Sequence, residues 1–162
     1  MKPHPSAQRL TELFKYIPKT GEFIWRVPGP NRRGIAGTTH VKGYRQIRID
    51  GILYMAHRVA WMMTYGCWPA GQLDHINGDK ADNRITNLRE ATNGQNKANT
   101  FKAQKNSISG IKGVHQWRSD RWTAQIRADG KRYYLGSFKT PEEARMAYAD
   151  AAARYFGEFA QS

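Results

Sequence analysis

The alternation of apolar and polar residues over positions 43–56 predicts a β-hairpin. Its two runs flank the pair Asp50-Gly51, a dipeptide typical of a tight hairpin turn. The residues that follow place apolar side chains at helical spacing and stop at Gly66, so a short helix is expected directly after the hairpin.

Nearer the N-terminus, the apolar spacing indicates a helix followed by a strand. Ser6 is a good N-cap, and Leu13 and Phe14 lie on the apolar side of the helix. Pro18 is expected to end the helix. A turn then leads into a strand over residues 23–26.

From residue 110 onward the pattern predicts three antiparallel strands and one helix. The strands are expected over 111–117, 121–128 and 131–138, with one polar, basic face. Residues 140–143 combine an N-cap, a proline and a capping-box glutamate, and an alanine-rich helix follows them. This helix is expected to pack on one face of the sheet and to leave the other face open. The chain as a whole is therefore expected to be of the α+β class.

The chain of 162 residues carries 26 lysines and arginines against 13 acidic residues, a formal net charge of +13. Such an excess predicts a polyanionic partner, with nucleic acid first and an anionic membrane surface second. Residues 1–109 hold 17 basic and 7 acidic residues, a balance of +10, whereas residues 110–162 hold 9 and 6, a balance of +3. The first part alone has enough charge to bind a phosphate backbone, and the second part is better suited to reading sequence.

The cysteine content and the lack of long apolar runs argue against disulfide-bonded, zinc-stapled and membrane-spanning proteins. Cys67 is the only cysteine, which excludes an internal disulfide and a zinc ribbon or knuckle. The small motifs of the chain must then be held by apolar packing. No apolar run resembles a signal peptide or reaches the length of a membrane span, so a cytoplasmic protein is expected.

The run over residues 73–96 carries the candidate chemistry. It places Asp74 beside His75 and adds Asn87 and Asn96 further along. A carboxylate is a hard oxygen ligand for Mg²⁺, an amide adds a neutral oxygen, and an imidazole takes up a proton near neutral pH. Adjacent strand residues point to opposite faces, so the carboxylate and the imidazole converge only if the strand ends in an irregular turn. The Asn-Gly pair that follows predicts such a turn.

This run resembles the HNH endonucleases, specifically their phage and intron-homing branch, whose pattern is DHxxG, a loop, NLR and a downstream Asn. The resemblance implies a β-hairpin and a helix over residues 72–99 that clamp one divalent metal, a ββα-metal fold, here without zinc. It implies Asp74 and Asn96 as the metal ligands, with Mg²⁺ as the expected ion and Mn²⁺ as the second choice. His75 is then the general base, and Asn87 is the residue that orients or braces it.

The C-terminal part resembles the DNA-binding domain of the plant ethylene-response factors, the APETALA-type domain. The matching runs are GIKGVHQW, RWTAQIR, YLGSF and EEARMAYADAA, and the resemblance covers residues 110 to about 159. It implies a sheet that reads DNA with a set of side chains from Lys112, His115, Trp117, Gln125, Arg127, Arg132, Tyr134 and Ser137. The plant pattern has Arg where this chain has His115 and Trp117, and Trp where it has Tyr134, so no base sequence carries over.

The expected organisation is a nuclease domain over residues 1–99, a linker over 100–109 and a DNA-binding domain over 110–162. The helix of the nuclease motif is expected to begin near Thr86 and to run through Asn96. Two loop arginines of the same domain, Arg32 and Arg33, are candidate phosphate contacts.

Together these observations predict a metal-dependent endonuclease that acts on double-stranded DNA as a phage or homing-type enzyme. The family resemblance implies hydrolysis to a 5′ phosphate and a 3′ hydroxyl. One site in each chain predicts a monomer that nicks one strand, whereas a weak homodimer would cut both. In the linker, Lys102 and Lys105 would suit a DNA groove.

Other functions also fit the sequence. One is a non-catalytic, sequence-specific DNA-binding regulator with a decayed nuclease, against which the intact Asp74, His75 and Asn96 argue. Another is a protein that binds or cleaves RNA, and the C-terminal module alone also fits a structural or protein-binding role. His57, in an HR pair before the motif, either approaches the scissile phosphate or is a core or capping residue.

Overall fold

We describe the fold from a computed structural model, in which residues 3–30, 32–100 and 107–160 are described. The chain divides into two compact units, residues 1–90 and residues 91–162, and each has its own apolar core. Among the described residues, no helix is long and apolar enough to cross a membrane.

The described residues of the first unit form three small sheets and two helices, with the last strand ending one residue into the second unit. In chain order its elements are α1 (Ala7–Leu13), β1 (Phe14–Ile17), β2 (Glu22–Trp25), β3 (Thr38–Thr39), β4 (Arg45–Ile49), β5 (Ile52–Met55), α2 (Ala56–Tyr65), β6 (Gln72–His75) and β7 (Leu88–Ala91). Strand β1 pairs with β2, β4 lies between β3 and β5, and β6 pairs with β7.

The predicted hairpin and the helix after it are both confirmed. Strands β4 and β5 pair antiparallel, and the turn between them has positive φ angles of 47° at Asp50 and 87° at Gly51. Ile47 and Val59 are fully buried, and α2 packs against both strands of the hairpin. Gly66 ends α2 in the left-handed conformation, as its position after the helix predicts.

The first helix ends earlier than predicted. Ser6 caps α1 through its side chain, but the helix stops at Leu13, and Phe14 begins β1. The prediction that Phe14 is helical and that Pro18 ends the helix is therefore wrong. Phe14 pairs with Trp25 across the β1–β2 sheet, and their rings lie 4.5 Å apart, so tertiary pairing outweighs the local helical spacing.

The predicted helix over the nuclease motif is also placed differently. The chain forms a single 3-10 turn at Ile85–Asn87, then β7, and only then a helix, α3 (Asn93–Ala98). Thr92, not Thr86, is the N-cap, and it forms a reciprocal capping box with Gln95. The prediction of a helix from Thr86 to Asn96 is wrong because its first half pairs as a strand with β6.

The second unit contains α3 and the predicted arrangement of three strands and one helix. These elements are β8 (Val114–Arg118), β9 (Arg121–Ala128), β10 (Lys131–Phe138) and α4 (Pro141–Phe156), followed by a 3-10 turn at Gly157–Phe159. The strands form an antiparallel sheet in the order β10-β9-β8, and α4 packs on it. Helix α4 begins with the predicted capping box between Thr140 and Glu143.

The mixture of helices and antiparallel sheets confirms the α+β class. Helix α3 belongs to the second unit, so the units divide before the predicted linker over 100–109. Most of that linker, with Lys102 and Lys105, lies outside the described residues. The predicted domain boundaries stay predictions.

Candidate active site and nucleic-acid interface

The carboxylate and the imidazole of the motif lie together at the end of β6. Asp74 and His75 are only 4% and 5% exposed, although both are polar. The chain turns directly after them, with the Gly78 N–H donating to the His75 carbonyl over 2.8 Å and a φ of 73° at Gly78. The irregular turn predicted from the sequence is therefore present at the end of the strand.

A buried ion pair holds the Asp74 carboxylate. The guanidinium of Arg89, on β7, donates from Nε to Asp74 Oδ2 over 2.9 Å, and both side chains are largely buried. A buried carboxylate without a compensating charge would be costly, so Arg89 both neutralises Asp74 and fixes its orientation. The sequence pattern predicts no separate role for Arg89, although Arg89 is the last residue of the NLR run.

The imidazole of His75 lies in a cluster of rings. Its centroid is 5.1 Å from that of His57, in an edge-to-face arrangement, and 6.0 Å from that of Tyr44. Burial lowers the pKa of His75 below its ordinary value, although Asn83 and Asp74 act in the opposite direction. A neutral imidazole near pH 7 is able to accept a proton, which is what a general base requires.

His57, whose role the sequence left open, is buried at the start of α2 beside His75. Burial, reinforced by the proximity of His75 and Arg58, lowers the pKa of His57 to about 3. Its Nδ1 atom has no hydrogen-bond partner among the described residues. His57 is therefore a neutral neighbour of the proposed base.

Asn83, for which the sequence predicts no role, lies within hydrogen-bond distance of His75. Asn83 Oδ1 lies 3.4 Å from His75 Nε2, and the residue is 1% exposed. Asn87, predicted to orient His75, instead makes its hydrogen bonds to the loop. It accepts from the Asn77 backbone N–H over 3.0 Å and donates to Asn77 Oδ1 and the Asp82 carbonyl, each over 2.9 Å. Asn87 therefore braces the loop that carries Asn83, and its predicted role toward His75 stays a prediction.

The loop between β6 and β7 is held by its own short polar side chains. Asn77 donates from Nδ2 to Asp82 over 2.8 Å, and the Arg84 guanidinium donates to the same carboxylate over 2.6 Å. The hydrogen bond from Arg84 is the largest cause that holds the pKa of Asp82 below its usual range. Asp79 accepts from the Ala81 backbone N–H over 2.9 Å. The loop is thus fixed by hydrogen bonds among its own residues.

The predicted metal ligands fit a hard divalent cation by their chemistry. Asp74 supplies a charged oxygen, and Asn96, half-buried on α3, supplies an amide oxygen. Among the described residues, no group of three or more His, Cys, Asp or Glu side chains is placed to hold a metal ion. The pairing of Asp74 with Asn96 stays a prediction.

The sheet of the second unit has an open face that carries most of the predicted DNA-facing residues. Its other face packs Val114, Ala124 and Ile126 against α4. Directly opposed residues in an antiparallel sheet share a face. The cross-strand rows of the open face are Arg127–Arg132, Gln125–Tyr134 and His115–Thr123–Ser137. Basic, amide and aromatic groups are thus brought together on one surface, with Tyr134 61% exposed.

Two members of the predicted set differ from the rest. Trp117 lies at a register shift in β8, is 62% exposed, and has the Arg118 guanidinium 4.7 Å above its ring. The Lys112 ammonium donates to the carbonyls of Lys97 and Ala98 over 3.2 Å and 2.6 Å, at the end of α3. Burial lowers the pKa of Lys112. Lys112 therefore caps a helix in this structure, a role that the sequence analysis did not predict.

The two loop arginines of the first unit have different surroundings. The guanidinium of Arg32 lies 5.0 Å above the ring of Trp25, so its position is supported by a cation–π contact. Arg33 is exposed. Their predicted contact with phosphates stays a prediction.

The comparisons with known proteins agree with both resemblances. The family model for the HNH endonuclease matches residues 54–98, the segment that holds Asp74, His75, Asn87 and Asn96. An uncharacterized HNH endonuclease of Acanthamoeba polyphaga mimivirus is 34% identical over 88 residues, which are 54% of this chain and 44% of that protein. Protein 3.8 of Escherichia phage T7 is 33% identical over 84 residues, which are 50% of this chain and 68% of that protein.

The plant resemblance is also confirmed. A dehydration-responsive element-binding protein of Oryza sativa is 44% identical over 54 residues, which are 32% of this chain and 17% of that protein. The chain thus spans less than half of the mimivirus protein and less than a fifth of the rice protein. No solved structure matches the chain. The matched motif and the viral and phage relatives together identify the chain as a member of the HNH endonuclease family.

Proposed function

We propose that this protein is a metal-dependent endonuclease that hydrolyses one phosphodiester bond of double-stranded DNA in each catalytic event. The observation that carries the proposal is the buried pair of Asp74 and His75 at a turn, with the carboxylate ion-paired to Arg89 and the imidazole neutral. Such a fixed and partly desolvated pair favours catalysis because its groups need not reorganise when charge develops in the transition state.

In the proposed reaction His75 accepts a proton from a water molecule, which attacks phosphorus in line with the departing 3′ oxygen. The ring contacts of His75 with His57 and Tyr44 and its hydrogen bond with Asn83 restrict the orientation of the base. The expected products are a 5′ phosphate and a 3′ hydroxyl.

Asp74 and Asn96 are the residues that would hold the metal, with Mg²⁺ first and Mn²⁺ second. When bound, a divalent cation supplies positive charge that stabilises the phosphorane-like transition state and the leaving oxygen. Arg89 holds the Asp74 carboxylate in a fixed orientation for this role. The single cysteine, which is exposed, argues against a structural zinc site.

The open sheet face of the second unit is proposed to read the major groove. A two-stranded or three-stranded sheet fits that groove, and Arg127 and Arg132 are placed side by side for guanine or phosphate contacts. The net charge of +13 supports affinity for the phosphate backbone. With one catalytic pair in each chain, we propose that a monomer nicks DNA and that a weak homodimer would cut both strands.

The test is cleavage of supercoiled plasmid by the full chain with Mg²⁺, with a chelator as the blank and His75→Ala as the matched variant. We expect open circles whose nicks DNA ligase seals directly, which reports a 5′ phosphate and a 3′ hydroxyl. An equal amount of duplex RNA as competitor should leave the nicking rate unchanged. A protein that binds the plasmid but never nicks it with either metal would be a regulator, and preferred cleavage of the RNA would make it a ribonuclease.

A further inference from the structure

Asn83 is among the largest fully buried side chains of the protein, although it lies in a polar surface loop. It is 1% exposed, and both ends of its carboxamide have contacts. Its Nδ2 donates to the Ala81 carbonyl over 3.0 Å, and its Oδ1 lies 3.4 Å from His75 Nε2. A buried amide of this kind costs free energy unless its polar atoms are satisfied, so these contacts determine how it is oriented.

The orientation of the amide determines which imidazole nitrogen carries the proton. A carbonyl accepts only from a donor, so the Asn83 nitrogen must face Ala81 and the oxygen must face His75. An amide oxygen has no proton to donate, so the hydrogen bond requires the proton on Nε2 of His75. In a neutral imidazole the lone pair is then on Nδ1.

The position of Asn83 is fixed from the backbone side as well. The Tyr16 hydroxyl donates to the Asn83 carbonyl over 2.8 Å, which ties the loop to β1. Gly21, in the turn between β1 and β2, lies so close that a Cβ atom there would be 2.5 Å from the Arg84 backbone nitrogen. Asn87 holds the other side of the loop through the Asp82 carbonyl. The Asn83 side chain therefore has little freedom to turn away from His75.

We propose that Asn83 is a positioning residue for His75: its carboxamide oxygen holds the proton on Nε2 and so directs the lone pair of Nδ1 to the attacking water. The inference rests on the proposed function, because it assumes that His75 is the base. Holding the tautomer of a catalytic histidine through the nitrogen that does not react is a general way of making it an effective base.

The tautomer itself is tested without any substrate. In the full chain with ¹⁵N-labelled histidine, long-range nitrogen–proton NMR spectra show which ring nitrogen of each neutral histidine is protonated, and His75→Ala identifies the His75 signals. We expect the Nε2–H form in the wild type and in Asn83→Asp, which keeps an acceptor oxygen. We expect a mixture of the two forms in Asn83→Leu. An Nδ1–H form in the wild type would overturn the proposal whether or not the protein cleaves DNA.

The effect on catalysis is tested with a double-mutant cycle of single-turnover cleavage at saturating DNA. Asn83→Leu should lower the rate by about 10–100-fold, the loss typical of partners that orient a reacting group, with DNA affinity unchanged. On a His75→Ala background the same change should have no further effect, because Asn83 acts through His75. A rate that falls equally on both backgrounds would show a merely structural role.

Tyr16→Phe is the matched control for looseness of the loop, since it removes the tether to the Asn83 backbone and leaves the side chain in place. Because the tether acts through Asn83, Tyr16→Phe should lower the rate less than Asn83→Leu does, and this loss should disappear on the His75→Ala background. If Asn83→Leu does not fold, Asn83→Asp takes its place. Asn83→Asp should keep the Nε2–H form, and its cleavage rate should be nearer to that of the wild type than to that of His75→Ala. A rate for Asn83→Asp as low as that of His75→Ala, with the tautomer kept, would contradict the proposal. If His75→Ala cleaves as well as the wild type, the proposed function fails while the NMR result still decides the tautomer.

Discussion

The loop between β6 and β7 and the open face of the β8–β10 sheet are both rich in polar side chains, but they use them in opposite ways. At the end of β6 and in the loop that follows, Asp74, His75 and Asn83 are buried and joined to neighbours by directed contacts. On the sheet, Arg127 and Tyr134 are exposed. Burial alters pKa values and fixes geometry, which suits chemistry, whereas exposure leaves hydrogen-bonding groups available to a partner, which suits recognition.

The comparison implies that single substitutions in the two regions will change different measured quantities. In the loop they should change the rate of bond cleavage at saturating DNA. On the sheet they should change affinity and the choice among DNA sequences.

His75→Ala should cause the largest loss. A positioned general base contributes about 10²–10⁴-fold to a rate, and His75 is assigned proton transfer alone. Single-turnover cleavage should fall by that factor, while a gel-shift measurement should give an unchanged affinity for DNA. Wild-type turnover by this variant would remove His75 from the reaction.

Asp74→Asn should raise the Mg²⁺ concentration that gives half-maximal cleavage. The change keeps the shape of the side chain but removes the charge proposed to hold the metal. Replacing a residue that only hydrogen-bonds to a metal ligand typically costs about 10–100-fold in metal affinity, so we expect this concentration to rise by at least that factor. Asn96→Ala should have a smaller effect because the amide oxygen is neutral. Metal titrations that match the wild type for both variants would place the metal elsewhere.

Arg127→Ala should leave the chemistry intact and weaken recognition. If the guanidinium reads guanine through two hydrogen bonds, the loss is about 1–3 kcal/mol at one base position and little at others. Arg145→Ala, on the exposed side of α4, removes the same charge outside the open face and is the matched control. Equal losses for both variants on every sequence would show that the open face contributes only charge.

The pH dependence of cleavage should show the smallest effect, a shift of its acidic limit. Burial lowers the pKa of His75 from the ordinary value of 6.5, so the neutral base persists to lower pH than that of an exposed histidine. Below its pKa the imidazolium cannot accept a proton, and the rate should then fall. A single-turnover rate that is already half lost at pH 6.5 or above would contradict a buried base.

Much of the fold follows from local sequence signals. Asp50-Gly51 has the positive φ angles that a tight hairpin turn requires, as the dipeptide alone predicts. The capping box at Thr140 likewise marks the start of α4. These features depend on neighbouring residues only, so no knowledge of the tertiary structure is needed to predict them.

The elements that were mispredicted depend on distant partners. Leu, Arg, Glu and Ala at 88–91 all favour helices, and both Thr86 and Thr92 are suitable caps, so the local signal does not distinguish a strand from a helix. Pairing with β6 and burial of Leu88 decide in favour of the strand. Phe14 is the same case, since its contacts with β2 outweigh its helical spacing.

The sequence predicts the reacting residues of the candidate site but not the residues that hold them in position. Asp74 and His75 were found because their types and spacing match a known motif. Asn83 gave no signal, because an asparagine in a polar loop usually belongs to a turn. The ion pair of Asp74 with Arg89 joins two strands, and the ring contact of His57 with His75 joins a helix to a strand. Neither contact has a signature in the sequence.

The separation of chemistry from recognition is tested most directly by one measurement, the single-turnover cleavage rate at saturating target DNA for wild type, His75→Ala, Arg127→Ala and the double variant. The account predicts that Arg127→Ala stays within about twofold of the wild type once DNA saturates the enzyme, while His75→Ala loses about 10²–10⁴-fold. The double variant should match His75→Ala, because independent sites do not couple. A rate for Arg127→Ala as low as that of His75→Ala would contradict the account, since the exposed sheet face would then take part in the chemistry.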